Sequence, residues 1–589
     1  MGVRRRAWIW AVLLLAIGVL YARRLGDAPV YLSPDEAIIA VDAHSLATTG
    51  RDIHGAAVPL YFKIQMTGEE RQGWFFPMIF YAMAVVLKVL PLSESSARLT
   101  SVLVGLTDIV LVFFITRRMF KSDALAMVSA AMLALTPAHF ILSRYALDYL
   151  YPTPFVLAWL LCVLGYLETG RLRTLFVATA LLGAGFYSYI AAVVLMPLFM
   201  VFTAALLFHA RKPLRDYLVA ASGFALPLLM LVPWLFAHPT ALADTAGRYE
   251  LYNAGQMTAL QGLRSFFSYN NIEERAGIYW SFLNPTFLFF TGDAQMPFST
   301  RSVGVFLLPL AILLIAGICY AIRRPAPAHL IVLLGFFCAP LAAVLVPENS
   351  EIIRAAAMLP FGVLLGAMGV AALWQWERIE RAGAVIMPAG VLALAGGLAY
   401  GAWSLAAHRH LTTSTGPLIG AGIALCLIAF ASDAISITKI AAVLLLLAMP
   451  FQFAGFYRDY LTDYRRRASN WLGGNLRGAL VELMDRQSRD QAPYIYFSQL
   501  RSTAGLSDVR NRWMETYWTF YLTKHGRRDL LARSRAFEPS RVGSMPPRSL
   551  VLANVGDPNV DRLVRSGELK RVSTIVDEDG TRFFSILQR

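Results

Sequence analysis

The sequence predicts an all-α polytopic membrane domain of about thirteen transmembrane helices, followed by a soluble α/β domain at the carboxyl end; three observations carry that expectation. The first is composition: 57% of the residues are hydrophobic and 15% charged, with a mean hydropathy of +0.54. A soluble chain is closer to about half apolar and about a quarter charged. The second is the length of the apolar runs. Residues 103–115, 175–208, 305–322 and 441–453 are nearly free of charge, as a hydrocarbon layer of roughly 30 Å demands. The third is that Lys and Arg gather in short loops between such runs, at Arg117, Arg118 and Lys121, at Arg171 and Arg173, at Arg211, Lys212 and Arg215, at Arg323 and Arg324, and at Arg378 and Arg381.

Those loops explain the net charge of +15 as topology signals and contacts with anionic membrane lipid, so nucleic acid is not expected as a partner. The four cysteines, Cys162, Cys319, Cys338 and Cys426, all fall inside apolar runs, which argues for small buried hydrophobes and against a disulfide framework or a thiolate metal cluster. Residues 1–20 have the basic-then-apolar order of a signal peptide, but residues 21–25 offer no small-residue cleavage site. They are read as an uncleaved first helix with its amino end in the cytoplasm.

With the basic loops placed inside, crossings are expected at about 7–25, 97–116, 124–142, 154–168, 172–188, 190–209, 215–237, 302–321, 328–346, 355–374, 383–406, 415–430 and 438–456. The run 172–209 is too long for one span and is split at Tyr187-Ser188-Tyr189. Residues 75–90 contain Pro77 and Lys88 and would invert every later loop if they crossed, so they are laid on the outer interface. The membrane domain is therefore residues 1–456, with outer loops at 26–96 and 238–301, and residues 457–589 form a domain on the same outer side. Within that domain, 494–497 and 550–553 read as strands, 511–524 as an aromatic-rich amphipathic helix, and 572–576 with 583–587 as a hairpin through Asp577-Glu578-Asp579-Gly580.

The sharpest local pattern is Ser33-Pro34-Asp35-Glu36 in the first outer loop. Ser33 suits the N-cap, Pro34 the first helical position and Glu36 the capping-box partner, while both carboxylates favour the positive end of the helix dipole. A helix start fixed in this way also holds Asp35 rigidly, in a position to act as a general base toward an acceptor hydroxyl.

Ser33-Pro34-Asp35-Glu36-Ala37, then Thr49-Gly50, Gly55 and Pro59, resembles the first loop of the protein O-mannosyltransferase and aminoarabinose-transferase group, which are GT-C membrane glycosyltransferases. The resemblance continues through residues 93–99, Ser143-Arg144 with Asp148, residues 289–293, and Arg354 followed by Leu359-Pro360. The group's Lys-Pro-Pro stretch is absent, and Phe62-Lys63-Ile64-Gln65 stands in its place.

The resemblance implies a GT-C-like fold and a sugar donor linked to a polyprenyl phosphate, with tail in the bilayer and phosphate and sugar at the outer surface. Arg98, Arg144 and Arg354 sit near outer helix ends, against the positive-inside trend. Local pairs offer one account: Glu94 with Arg98, Arg144 with Asp148, Glu351 with Arg354. Bidentate phosphate binding is the stronger use of a guanidinium at that depth. Donor contacts are therefore expected from Arg98, Arg144, Asp148, Arg354 and Lys63, and from Asp293, where the resemblance places the Thr291-Gly292-Asp293 turn near the donor. Arg248, Tyr249, Arg264, Tyr269, Tyr279 and Trp280 in the same loop could stack on sugar rings or form an interfacial belt.

Asp35 and Glu36 are the expected catalytic carboxylates. Glu36, His54 and Asp148 could also assemble a divalent-cation site, the one cofactor expected. The expected function is an inverting glycosyltransferase that moves a sugar from a polyprenyl-phosphate donor to a hydroxyl of a lipid, glycan or protein, at the outer face of a bacterial cytoplasmic membrane. The alternatives are a flippase or transporter of a lipid-linked sugar, a polysaccharide polymerase or ligase with a diphosphate-linked donor, or a receptor-like protein with an inactive first loop.

Overall fold

The computed structural model describes residues 3–64, 73–248, 268–345, 351–375, 437–487, 491–495 and 509–589, with scattered positions at 258–264 and 390–422. It opens with α1 (Val3–Ala22), α2 (Pro34–Thr49), a short antiparallel hairpin of β1 (Phe62–Ile64) and β2 (Gly73–Phe75), α3 (Met78–Leu87), α4 (Glu94–Phe120), α5 (Asp123–Ala134) and α6 (Pro137–Leu142). There follow α7 (Pro152–Thr169), α8 (Leu172–Gly185), α9 (Ala192–His209), α10 (Leu214–Leu228), α11 (Leu231–Ala237), α12 (Ala241–Arg248) and α13 (Tyr269–Phe282). Next come α14 (Pro309–Arg323), α15 (Pro327–Cys338), α16 (Leu341–Val344), α17 (Met358–Gln375) and α18 (Ile437–Leu461).

Helix starts follow local chemistry. Ser93 and Ser122 cap α4 and α5 by accepting from the amides of Ser96 and Leu125, and Pro occupies the first turn of α6, α7, α14 and α15. The chain turns between α8 and α9 through Tyr187-Ser188-Tyr189, where the sequence required a break.

Six helices among the described residues are long and apolar enough to cross a bilayer: Glu94–Phe120, Asp148–Thr169, Ala192–His209, Pro327–Val344, Met358–Gln375 and Thr438–Leu461. The α10–α11 pair, bent by 41° just beyond Pro227, makes a seventh. Four other expected crossings, 7–25, 124–142, 172–188 and 302–321, appear as shorter apolar helices, and 383–406 and 415–430 lie, but for a few positions, outside the described residues. The 302–321 segment is shortened for a visible reason. Its first residues stay out of the helix because Val305 and Phe306 donate their amides to the carbonyls of Phe287 and Leu288 at 3.1 and 2.8 Å. Only Gly at 304 permits this, since a Cβ there would run into the backbone of Phe289. α3 is too short to cross; it buries Ile79, Phe80, Met83 and Leu87 against α2 and α4.

After α18 come α19 (Asp463–Ser469), α20 (Leu476–Arg486), β3 (Tyr494–Ile495), α21 (Val509–Lys524), β4 (Arg535–Ala536), β5 (Leu550–Asn554), α22 (Pro558–Arg565), β6 (Lys570–Val576) and β7 (Arg582–Gln588). The five strands lie in the order β4-β3-β5-β7-β6, parallel around β3 and antiparallel from β5 onward, with Val551 opposite Leu587 and Ile575 opposite Phe584. Alternation sorts the faces. Val551, Ala553 and Leu587 pack with Val560 and Leu563 of α22, while Leu552, Phe584 and Ile586 join a core that is continuous with the membrane helices. The sheet is thus buried on both faces, which is why β5 reads as an unbroken apolar run.

Two features generate tests. α14 and α17 approach so closely that a Cβ at Gly317 would strike the Leu365 carbonyl, and one at Gly369 the Leu313 carbonyl. Gly317→Ala and Gly369→Ala are each expected to destabilise the folded chain by about 1–3 kcal/mol, read as a lowered thermal midpoint in detergent. In α2, burial pushes the Asp42 carboxyl up to about 7; the Ile53 amide, 2.9 Å away, pulls it back and neighbouring Asp52 adds to the rise. A carboxyl whose pKa rises on folding contributes most to stability below its unfolded value of about 4, and that contribution is lost as pH climbs through about 7. The wild-type midpoint should therefore fall between about pH 4 and pH 7, and the always-neutral Asp42→Asn should show a smaller fall.

Candidate functional site

Arg98 and Arg144, at the α4 start and in the turn after α6, are both fully buried. Arg98 forms a two-point pair with Glu36, Nε to Oε1 at 2.9 Å and one terminal nitrogen to Oε2 at 3.2 Å. It also donates to the carbonyls of Leu25, Pro29 and Tyr31 at 3.1, 2.7 and 2.7 Å. Arg144 donates to the carbonyls of Tyr21, Arg23, Arg24 and Ala28, and its plane lies 5.2 and 5.5 Å from the rings of Phe140 and Tyr460. A cation collecting carbonyls at the α1 carboxyl end complements that helix's dipole. The two arginines thus bind the strap of residues 21–33 that joins α1 to α2.

Glu36 is buried with both oxygens engaged. Oε2 accepts from the Ser33 amide at 2.8 Å in the capping box, and Oε1 accepts from the Ala146 amide at 2.9 Å as well as from Arg98. These contacts bear on the roles expected of Glu36, Arg98 and Arg144, and favour a structural one for each. Glu36 is a framework carboxylate, and Arg98 and Arg144 are framework cations, because backbone and Glu36 oxygens occupy the guanidinium hydrogens that a phosphate would need. Neither local pair expected for them forms: Glu94 meets Lys524 of α21 at 2.6 Å instead.

Asp35, one residue away, has a different setting. It is half-buried in the first turn of α2 and lies within electrostatic range of Asp148, Tyr149 and Tyr517. Asp148 opens a 3-10 turn, Asp148–Leu150, that packs on a second such turn, Ile352–Arg354. Tyr149 stands edge-to-face with Tyr189 and Phe298, ring centroids 5.5 and 5.6 Å apart. Arg354 keeps its expected pairing with Glu351, at 3.9 Å, and Glu351 also accepts from Gln295 at 2.9 Å. Asp293 is buried and its carboxylate accepts from the amides of Gln295 and Ile352 at 2.8 and 2.6 Å, tying the loop before α14 to the turn that carries Arg354. Burial pushes its carboxyl up to about 6 despite those two amides. Asp293 therefore sets the position of Arg354.

The structure brings Asp35, Asp148, Arg354 and Asp293 into one neighbourhood, with tyrosines between them. Lys63 stands apart on the β1–β2 hairpin, exposed, 6.0 Å from the Trp74 ring, which packs on Trp234 and His238. The Tyr187–Tyr189 turn separates the two groups, Tyr187 facing Tyr61 of the hairpin and Tyr189 facing Tyr149. The expected cation site is not assembled: no group of three or more His, Cys, Asp or Glu able to hold a metal ion occurs among the described residues. Glu36 is held by Arg98, and His54 lies exposed in a turn shaped by the Asp52 carboxylate, which accepts from the amides of His54 and Ala56. Of the loop residues, Tyr249 is outside the described residues, and Tyr279 donates to the Phe337 carbonyl at 2.9 Å.

Sequence reasoning missed Tyr31, Tyr517 and Asp577. The Tyr31 hydroxyl donates to Asp577 at 2.5 Å and the Tyr517 hydroxyl to the Leu32 carbonyl at 2.8 Å, across 546 and 485 residues. No local spacing signals such contacts. Removing Arg98 tests the framework assignment: Arg98→Ala leaves Glu36 buried without its counter-ion and is expected to cost about 3–5 kcal/mol, seen as loss of folded protein in size-exclusion and thermal assays. A phosphate ligand at this position would instead lose only donor affinity.

Residues 76–236, from α3 to α11, match the family described as dolichyl-phosphate-mannose-protein mannosyltransferase. The fold is similar to ArnT from Cupriavidus metallidurans in the apo state, with 15% identity and a TM-score of 0.54. It is also similar to that protein bound to undecaprenyl phosphate, with 14% identity and a TM-score of 0.51; each alignment covers 98% of both chains. No curated protein matches the chain in sequence. The chain thus carries a segment similar to that mannosyltransferase family within a polytopic fold similar to that of ArnT.

Proposed function

We propose that the chain is an inverting glycosyltransferase that takes a sugar from a polyprenyl-phosphate donor and passes it to a hydroxyl of a lipid, glycan or protein at the outer face of a bacterial cytoplasmic membrane. One observation carries the reading: of two adjacent carboxylates, the capping box and Arg98 immobilise Glu36 and leave Asp35 half-exposed on a fixed helix start, beside Asp148, Tyr149 and the Glu351–Arg354 pair. That undecaprenyl phosphate binds the structurally similar ArnT supports a lipid-phosphate donor.

Asp35 removes the acceptor proton as the oxygen attacks the anomeric carbon. The bond from that carbon to the donor phosphate breaks, its electron pair leaves with the polyprenyl phosphate, and a single displacement inverts the anomer. Charge grows on the leaving phosphate, and Arg354 is the cation to meet it. Tyr149 and Tyr189 provide ring faces able to stack on a sugar.

The test uses purified chain, a panel of polyprenyl-monophosphate sugars and mass spectrometry of acceptors. Asp35→Asn is expected to keep the fold and lower transfer about 10²- to 10⁴-fold. Arg354→Ala is expected to raise the barrier by roughly 2.7–4 kcal/mol. A folded Asp35→Asn with full activity sinks the assignment, and donor movement across vesicles without bond cleavage points to a flippase.

A further inference from the structure

The strap before α2 is held from a second direction, by residues that belong to the carboxyl-terminal part of the chain. The turn between β6 and β7, Asp-Glu-Asp-Gly, is a sequence that ordinarily faces water. Here Asp577 is 5% exposed. One of its oxygens accepts from the Tyr31 hydroxyl at 2.5 Å and from the Glu578 amide at 2.7 Å, and the other from the Ser469 hydroxyl of α19 at 2.6 Å. Neighbouring residues extend the grip. Arg465 pairs with Glu578 and donates to the Asp27 carbonyl at 2.7 Å, Arg477 lies 5.7 Å over the Tyr31 ring, and Arg24 donates to the Leu461 carbonyl at 3.0 Å. Tyr517 of α21 closes the sequence by binding the Leu32 carbonyl, while α21 lies along α2.

Three consecutive residues, Tyr31, Leu32 and Ser33, are therefore fixed by four side chains: Tyr31 by Asp577 through its hydroxyl and by Arg98 through its carbonyl, Leu32 by Tyr517, and Ser33 by Glu36. Asp35 follows two residues later.

We propose that the carboxyl-terminal domain is a positioning element of the transfer site, with Asp577, Tyr31 and Tyr517 as positioning residues that lock the strap and so the start of α2 on which Asp35 rides. The effect on transfer rests on the function proposed above, while the effect on the strap does not. A base displaced by about 1 Å loses up to about 100-fold in rate, so the lock acts on turnover more than on donor binding.

The experiment compares full-length wild type with Asp577→Ala, Tyr31→Phe, the double variant and the conservative Asp577→Asn, which keeps an acceptor for the Tyr31 hydroxyl. Hydrogen exchange at the amides of Ser33, Glu36 and Ala37 is measured beside transfer kinetics. Expected results are faster exchange at those amides in Asp577→Ala and Tyr31→Phe, kcat lowered roughly 10- to 100-fold with donor KM little changed, no further loss in the double variant, and recovery in Asp577→Asn. Unchanged exchange at the three amides overturns the proposal, whatever the activity. So does a rate loss that only tracks the unfolded fraction. Wild type that transfers no sugar overturns the transferase reading alone, and the exchange result still decides the lock. Should Asp577→Ala fail to fold, Tyr31→Phe, which removes one oxygen, decides on the same readouts.

Discussion

The buried pair between Glu36 and Arg98 is the interaction on which the rest of this architecture depends. Two charges taken out of water carry a desolvation penalty that their mutual attraction offsets only when their remaining hydrogen-bonding capacity is also satisfied. Here the amides of Ser33 and Ala146 serve the carboxylate, and the carbonyls of Leu25, Pro29 and Tyr31 serve the guanidinium. The pair lies at the starts of α2 and α4, and its partners come from the strap and the turn after α6. Satisfying one pair therefore brings four pieces of chain to a single point.

Arg144 repeats the device one layer away at the carboxyl end of α1, and Asp293 does so with opposite sign at the Ile352–Arg354 turn. Each buried charge is met mainly by backbone groups, which cannot swing away as side chains can. Irregular segments at the helix ends are thereby held nearly as firmly as the helices. A site built from such segments is preorganised even though few of its residues lie on long helices. The contrast between Asp35 and Glu36 shows how finely this works. On a helix, successive side chains point about 100° apart, so one carboxylate of the pair enters the framework and the other stays partly exposed.

Much of this was legible in the amino-acid order. The Ser33 capping box, the break at Tyr187–Tyr189, the hairpin through 577–580 and the apolar strand at 550–553 all arise from contacts over a few residues or from simple periodicity, and each stands where the pattern put it. The non-helical stretch at 302–308 was not legible, because its conformation comes from pairing with Phe287 and Leu288 and not from its own apolar run. The roles of the arginines were half legible. Their depth marked them as needing strong partners, but sequence spacing offered Glu94 and Asp148 where folding supplied Glu36 and the strap carbonyls.

The sequence by itself determined the membrane class, the helix starts and the presence of a reactive-looking pair of carboxylates, since these follow from hydropathy and from hydrogen bonds that close within three or four residues. Only the tertiary structure decided which carboxylate is buried, which cations are used up by the backbone and that the terminal domain reaches the strap. Those outcomes depend on groups tens to hundreds of residues apart competing for the same few buried hydrogen bonds, and local order in the chain carries no record of which competitor wins.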